Sequence, residues 1–517
     1  MLIKDICING RSLKFSSTDT QNVKENESCF TILIGKNASG KSETLKEICH
    51  LLIRSQIQDD FKSAYVDILD HYLDRNYKDI LHRGDKNISS ELELIHGGKA
   101  LIYKYVRTDE KRNFVNYLGK TEYLDEKVFR HYFEITDTKR QQVTIANKVN
   151  IVAVSSGQFD KFPVLQSMGL SSGTGIKYSY IGVQNDRLSS RYDSALALKI
   201  GEIGHSILKF HLESSKLKLD GLLNTLGFTS RVKLQYKINA HELSKDFKKQ
   251  DMLNVGGTKY ASVGLGNNRD TLTDEDIEGI KNARSYFKKH HKNLFEVTGL
   301  IGLDLFNEND EVEINHLYYA AKVNALEIRD VSFEGELGIC SLALASSGQI
   351  NLLNIFFGIA SCIENDSLIL IDEPEISLHA DWQMKFIPLL RETFLKYKRC
   401  HFIVATHAPM IISNVGSSCS SILNMTTGDT VSSSAFNNQS SDYLNYYLFE
   451  TPGPKNETMN REVVSLLSVI SKRKQLSESQ LKKAKLLIKW SNDLVIGDPI
   501  KELVSILAEA LEIYSHD

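Results

Sequence analysis

Unbroken apolar runs of four or five residues recur along this chain, at Phe30-Thr31-Ile32-Leu33-Ile34, Ile151-Val152-Ala153-Val154, Leu368-Ile369-Leu370-Ile371 and Phe402-Ile403-Val404-Ala405. A strand with one wet face alternates in polarity, whereas a strand covered on both faces reads as continuous apolar sequence. The runs therefore predict buried strands of a parallel sheet. Helical stretches follow at 43–52 and 380–397, and the order strand, helix, strand predicts parallel neighbours joined by right-handed crossovers. A largely apolar helix is expected from about Ile350. Elsewhere, residues 91–106 alternate like paired strands, while 54–80, 192–226 and 274–292 read as helical. Gly256-Gly257 and Gly264-Leu265-Gly266-Asn267-Asn268 mark loops. A polar linker at 432–441 precedes three predicted helices at 461–471, 477–490 and 499–514.

Composition narrows the class. With 42% hydrophobic residues and only 7 prolines in 517, the chain can build sizeable cores and has no long disordered linkers, which suggests about two to four domains. A formal charge of −3 lacks the basic excess of a nucleic-acid binder, so any such contact must be local. The N-terminus has no signal-peptide layout, and the longest apolar stretch, 350–363, is too short to cross a membrane and contains Asn351 and Asn354. The seven cysteines are scattered and never form a C-x-x-C pair. The expectation is a reduced, cytoplasmic setting in which they serve as small apolar packing residues.

Chemistry is concentrated where the apolar runs end. The first run leads into Gly35-Lys36-Asn37-Ala38-Ser39-Gly40-Lys41-Ser42. Gly35 and Gly40 allow the loop to turn its N–H groups inward on phosphate oxygens, Lys41 supplies a charge at the β- and γ-phosphates, and the Ser42 hydroxyl can ligate Mg²⁺. This strand, loop and helix predict ATP binding. The third run ends in Asp372-Glu373-Pro374, where Asp372 can hold Mg²⁺ through water and Glu373 can orient and deprotonate the attacking water. The fourth run ends in Thr406-His407, which places His407 at a carboxyl strand end beside Asp372 and Glu373, facing the γ-phosphate.

A second phosphate-binding feature precedes the apolar helix at Ala345-Ser346-Ser347-Gly348-Gln349. Ser346 offers a hydroxyl, Gly348 permits close backbone approach, and the helix start attracts anionic oxygen. One nucleotide seldom needs two cradles from one chain, so the simplest use of Ser346, Gly348 and Gln349 is on the nucleotide of another subunit.

Together these four motifs resemble the ABC-type ATPase heads of the SMC, RecF and OLD groups. The resemblance implies two heads sandwiching two ATPs, with Ser346 and Gly348 acting in trans. It also implies a Q-loop glutamine that senses Mg²⁺ and the attacking water. Gln158 follows the second apolar run and suits that role, Gln184 after the strand-like residues 178–183 is a rival, and an ordinary polar turn residue is the third reading. Two features depart from transporter heads. The signature opens with Ala345 instead of leucine, and Ser377-Leu378-His379 stands where transporters place an aspartate, so Glu373-Pro374-Glu375-Ile376-Ser377-Leu378-His379 looks like the RecF/OLD branch. Further strings resemble the PtuA-type ATPases of Septu-type and retron-associated antiphage systems. They are residues 148–163 (KVNIVAVSSGQFDKFP), 178–182 and 448–457 (LFETPGPKNE), and Asp498-Pro499.

About 300 residues separate Ser42 from Ala345, far more than in a compact transporter head. The fold class expected is α/β, an ABC-type P-loop head split by a large, mainly helical insertion and followed by a helical C-terminal region. Residues 1–60 would carry the first part of the head, 61–330 its remaining strands plus the insertion, 331–430 its second part, and 431–517 a helical partner or oligomer contact. No long heptad run or zinc-hook cysteines indicate a coiled-coil arm. The basic clusters Lys288-Lys289-His290-His291-Lys292 and Lys472-Arg473-Lys474 with Lys482, Lys483, Lys485 and Lys489 could meet phosphates. Nearby acids and the absence of interleaved aromatics favour solvated helix faces. The tail has neither the Asp-x-Asp nor the strands of a TOPRIM nuclease, and no H-N-H or Cys/His metal array is present.

The resemblance therefore implies an ATPase subunit, at least dimeric, that regulates a separate nuclease of HNH type, with DNA or retron RNA/DNA reached only through the complex and no membrane involved. A stand-alone RecF/SMC-like repair ATPase is the alternative from another class. A site that binds ATP only to lock an oligomer is a third.

Overall fold

The computed structural model describes residues 1–15, 27–36, 38–56, 87–111, 127–143, 148–157, 162–163, 176–182, 194–213, 217, 219–244, 274–290, 297–305, 311–336, 338–416, 419–473 and 476–514. In chain order the strands are β1 (Leu2–Ile8), β2 (Arg11–Lys14), β3 (Cys29–Ile34), β4 (Asn87–His96), β5 (Lys99–Lys111), β6 (Lys127–Asp137), β7 (Ile151–Ser155) and β8 (Tyr178–Ile181). They continue as β9 (Phe228–Ile238), β10 (Val297–Asp304), β11 (Leu326–Gly335), β12 (Gly338–Ser341), β13 (Leu368–Asp372), β14 (His401–Ala405), β15 (Ser420–Asn424) and β16 (Thr430–Ser432).

The four apolar runs all enter one seven-stranded sheet of order β16-β15-β3-β14-β13-β7-β8, parallel except for β16 at its edge. Successive side chains of a strand point to opposite faces, and the run in β13 shows why all of them are apolar. Leu368 and Leu370 pack into one core with Leu33, Ile403 and Ala405, while Ile369 and Ile371 pack into another with Phe30, Ile32 and Val404. Each such fully buried side chain stabilises the fold by about 1.5–3 kcal/mol.

The first of these cores is closed by the helix Lys41–Gln56 and by an antiparallel sheet of order β2-β1-β4-β5-β6. That helix runs a turn beyond the sequence expectation because its last residues have tertiary partners. Arg54 lies over the Tyr105 ring at 5.0 Å, and Gln56 Nε2 donates to the Val149 carbonyl at 2.8 Å. His401 ties this sheet to the central one, accepting the Ile3 N–H at Nδ1 (3.1 Å) and meeting Thr31 Oγ1 at Nε2 (2.9 Å). Complete burial pushes its pKa down to about 3, so the imidazole is neutral.

Across the central sheet lie the helices Ala195–Glu213, Ser347–Ala360 and Ala380–Thr393, with a second antiparallel sheet of order β10-β9-β11-β12. The α/β head expected from the sequence is thus formed, and the insertion carries helices such as Ala195–Glu213 and Asp274–His290. Its described residues also carry the strands β4 and β5, where 91–106 read as paired strands, and the long antiparallel strands β6 and β9, which the helical spacing did not reveal. The glycine loops near 256 and 264 and most of 54–80 lie outside the described residues.

The C-terminal helices Glu457–Arg473, Glu478–Ser491 and Pro499–Tyr514 enclose a separate core that includes Met459, Leu487 and Leu507. The strings around 448–457 and Asp498-Pro499 form the joint to this bundle. Asp498 accepts the N–H groups of Lys455 and Ile500 at 2.8 and 2.9 Å. Asn456 accepts from Met459 N–H and donates to the Asp442 carbonyl.

One expectation is corrected. Cys29 and Cys419, expected as packing residues, are disulfide-bonded. The two lie 390 residues apart in sequence, and only the parallel pairing of β3 with β15 brings their strand starts together, so spacing held no sign of it.

Candidate functional site

Strand order decides what can meet what. β14 lies between β3, which feeds the glycine loop, and β13, which ends at Asp372. The turn after β14 therefore lies between loop and acids, and His407 is its second residue. Its Nδ1 is 3.3 Å from Lys41 Nζ. Lys41 also donates to the Gly35 carbonyl at 2.9 Å. Burial lowers the Lys41 pKa to about 8, opposed by the nearby carboxylates Asp372, Glu375 and Glu373. Burial and the Lys41 charge lower His407, opposed by Glu373, which leaves a neutral ring at neutral pH.

The loop itself is built as its glycines require. Gly35 and Gly40 have φ of +150° and +92°, Ala38 sits at +62°, and the helix Lys41–Gln56 begins inside the motif. Ser39 Oγ is enclosed without a hydrogen-bond partner among the described residues, as a group backing onto a phosphate would be. Asn37 lies outside the described residues, as do Gln158 and its rival Gln184. Gly157, just before Gln158, borders the acidic loop: a Cβ placed on it would stand 3.1 Å from Glu373 Oε2.

Glu373 adopts φ +50°, a left-handed conformation that costs about 1–3 kcal/mol in a residue of this type. Its N–H donates to the Ala405 carbonyl at 2.9 Å, so pairing with β14 holds the turn. Ser42, half-buried in the first helical turn, and the buried Asp372 provide hard oxygen donors suited to Mg²⁺. Among the described residues no group of three or more His, Cys, Asp or Glu forms a metal cage. A cation here would thus take most of its ligands from phosphates and water.

The signature takes a different position. The helix Ser347–Ala360 packs against β7 and β8, three or more strands from β3, a separation of roughly 14 Å at the usual strand spacing. Ser346 is exposed and caps this helix, accepting the Gln349 N–H at 3.2 Å, while Gln349 Oε1 accepts the Ser346 N–H at 2.9 Å. Gln349 also donates to the Leu226 carbonyl, so its side chain is committed to the cap and to the neighbouring helix end. Gly348 is buried, and a Cβ on it would come within 2.5 Å of the Ser377 carbonyl and 2.9 Å of the Trp382 ring. No larger residue fits there.

Sequence reasoning noticed Asn351 only as a polar interruption. Its Nδ2 donates to the Ile376 and Pro374 carbonyls at 3.0 and 3.3 Å, and its Oδ1 accepts from Ser156 Oγ at 3.0 Å. The signature helix, the end of β7 and the acidic loop are thereby joined at one buried amide. Asn351→Ala should lower stability by about 2–4 kcal/mol, because three polar groups lose their partner at once. Thermal and urea unfolding would measure it.

A phosphate loop on a strand-to-helix turn, with a carboxylate pair and a neutral histidine at the adjacent strand ends, defines a P-loop ATPase. The profile of the AAA ATPase domain matches residues 1–412, and the chain belongs to that family; it is an ATP-hydrolysing enzyme. Among curated relatives, Retron Ec83 probable ATPase of Escherichia coli is 33% identical over 84 residues, 16% of this chain and 15% of that protein. Retron Vc95 probable ATPase of Vibrio cholerae serotype O1 biovar El Tor is 23% identical over 424 residues, 80% of this chain and 70% of that protein. Among solved structures, the Smc head domain of Pyrococcus furiosus bound to the C-terminal domain of ScpA aligns at 11% identity and TM-score 0.32, covering 84% of this chain and 97% of that chain. The SMC head domain from Thermotoga maritima aligns at 12% identity and TM-score 0.29, covering 83% and 98%. Among the described residues no helix is long and apolar enough to cross a membrane.

Proposed function

We propose that this chain is the ATPase subunit of a bacterial antiphage complex of the PtuA type, in which two copies sandwich ATP and Mg²⁺ and their nucleotide state governs a separate nuclease, of HNH type. The observation that carries the reading is the split site. Lys41, Glu373 and His407 gather at one place, while Ser346 stands exposed on a helix start remote from its own phosphate loop. A second copy is the simplest source of the missing half. Asp372 and Ser42 would hold Mg²⁺, which screens phosphate charge when bound, and Glu373 would take the proton of the attacking water.

The retron ATPases among the relatives support the defence setting, and the C-terminal bundle, built around its own core, offers a partner contact. Nucleic acid, DNA or retron RNA/DNA, would be reached through the complex. The basic stripe on the bundle gives little to a stand-alone DNA clamp, because Lys482 and Lys483 pair with Glu478 and Glu462 at 3.0 and 2.6 Å.

Expression with the neighbouring genes, followed by affinity purification and native mass spectrometry with and without ATP, tests the proposal. The expected species contains at least two copies of this chain and a nuclease. A homogeneous monomer that recruits no nuclease, even during phage challenge, would overturn it.

A further inference from the structure

Glu375 has no part in the chemistry assigned so far, yet its carboxylate holds the two halves of the hydrolytic centre together. Its Oε1 accepts the backbone N–H of His407 at 2.6 Å. The Thr406 hydroxyl also bonds this carboxylate, and the same hydroxyl accepts the Ala408 N–H at 2.9 Å. Thr406 and His407 are thus held directly by this acid, and Ala408 through the Thr406 hydroxyl. Its Oε2 is shut off from solvent and has no hydrogen-bond partner among the described residues.

The other end of Glu375 is equally fixed. It follows Glu373 by two residues, with Pro374 locking the backbone between them. The turn is closed by Ile376 N–H on the Glu373 carbonyl (3.3 Å) and Leu378 N–H on the Glu375 carbonyl (2.9 Å). Glu373 and His407 follow separate strands, and the last main-chain link between those strands is the Glu373 N–H on the Ala405 carbonyl. Beyond that point, the carboxylate of Glu375 bridges them.

Burial would ordinarily exclude an ionised carboxylate, and it does raise this pKa, against the pull of the His407 and Thr406 hydrogen bonds. Glu375 is also, with Asp372 and Glu373, one of the carboxylates that favour the Lys41 charge. An acid kept in such a position against its desolvation cost has a geometric task to perform.

We infer that Glu375 is a positioning residue for ATP hydrolysis, fixing His407 at its distance from Lys41 and Glu373 through the His407 backbone. The inference rests on His407 facing the γ-phosphate. Turnover and nucleotide affinity of His407→Ala, Glu375→Ala, Glu375→Gln and the double alanine variant test it. Glu375→Ala is expected to lower kcat roughly 10- to 100-fold, the cost of leaving one buried donor unsatisfied, with nucleotide affinity within about threefold of wild type. Glu375→Gln retains an acceptor for the His407 N–H and should stay within about threefold in kcat. Added to His407→Ala, the second alanine should cost no more than about twofold, because both changes remove one function.

If Glu375→Ala misfolds in a thermal melt, Glu375→Met fills the volume without an acceptor and takes its place. Wild-type turnover in the alanine or methionine variant, a glutamine variant as slow as alanine, or full additivity with His407→Ala would overturn the inference. The reading beneath it fails separately, through undiminished turnover in His407→Ala alone.

Discussion

Glu373→Gln should bind nucleotide as wild type does while its turnover falls roughly 10²- to 10⁴-fold, the range associated with removing a general base. The substitution is nearly isosteric, and the turn depends on main-chain contacts that glutamine preserves, including the Glu373 N–H to the Ala405 carbonyl. What disappears is the ability to take a proton. The side chain also borders Gly157, so a neutral amide removes a charge from that contact while keeping its shape. Single-turnover hydrolysis of radiolabelled ATP would measure the rate, and light scattering would measure mass. An ATP-loaded oligomer should persist in the variant and dissociate in wild type. Equal turnover in the two proteins would remove Glu373 as the base and favour a nucleotide that merely locks an assembly.

The local parts of this site were legible because their chemistry is local. A glycine loop between an apolar strand and a helix, and acids directly after an apolar strand, carry their geometry within about ten residues. The helix Pro499–Tyr514 was read with its exact limits for the same reason, since a proline start and an apolar periodicity define it without help from distant residues. What escaped depends on pairing across hundreds of residues. β1 pairs with β4 and β9 with β11, registers that no short window contains. Cys29 meets Cys419 only because β3 and β15 are neighbours.

Asn351 and Glu375 illustrate a subtler limit. Each stood in a segment already singled out, one in the apolar helix and the other two positions after Glu373. A buried amide bonded to two carbonyls looks the same in sequence as an amide facing water. Gln349 shows the reverse: the signature glutamine suggested nucleotide contact, and its side chain is taken up by a reciprocal helix cap. Helix capping and phosphate binding draw on the same orphan N–H groups, so one sequence pattern serves both.

The proposed division of labour between Lys41 and Ser346 leads to the second large effect. Lys41→Ala removes the buried cation of the phosphate loop, and Ser346→Glu sets a negative charge at the exposed start of the signature helix; each alone should reduce turnover by about 100-fold or more. Neither change should unfold the chain, because a carboxylate near a helix N-terminus is tolerated and, among the described residues, the Lys41 ammonium meets the Gly35 and Lys36 carbonyls and His407. If each site is completed by the partner, mixing the two inactive proteins restores activity. Random pairing makes half the dimers mixed, and each mixed dimer has one intact site of two, so the mixture should recover to about a quarter of wild-type turnover per site, as expected for an isologous dimer. Sites complete within one chain would leave the mixture as inactive as its components. The titration of one variant into the other therefore distinguishes the two arrangements without a structure of the complex, and a maximum at equal amounts is the signature of pairs.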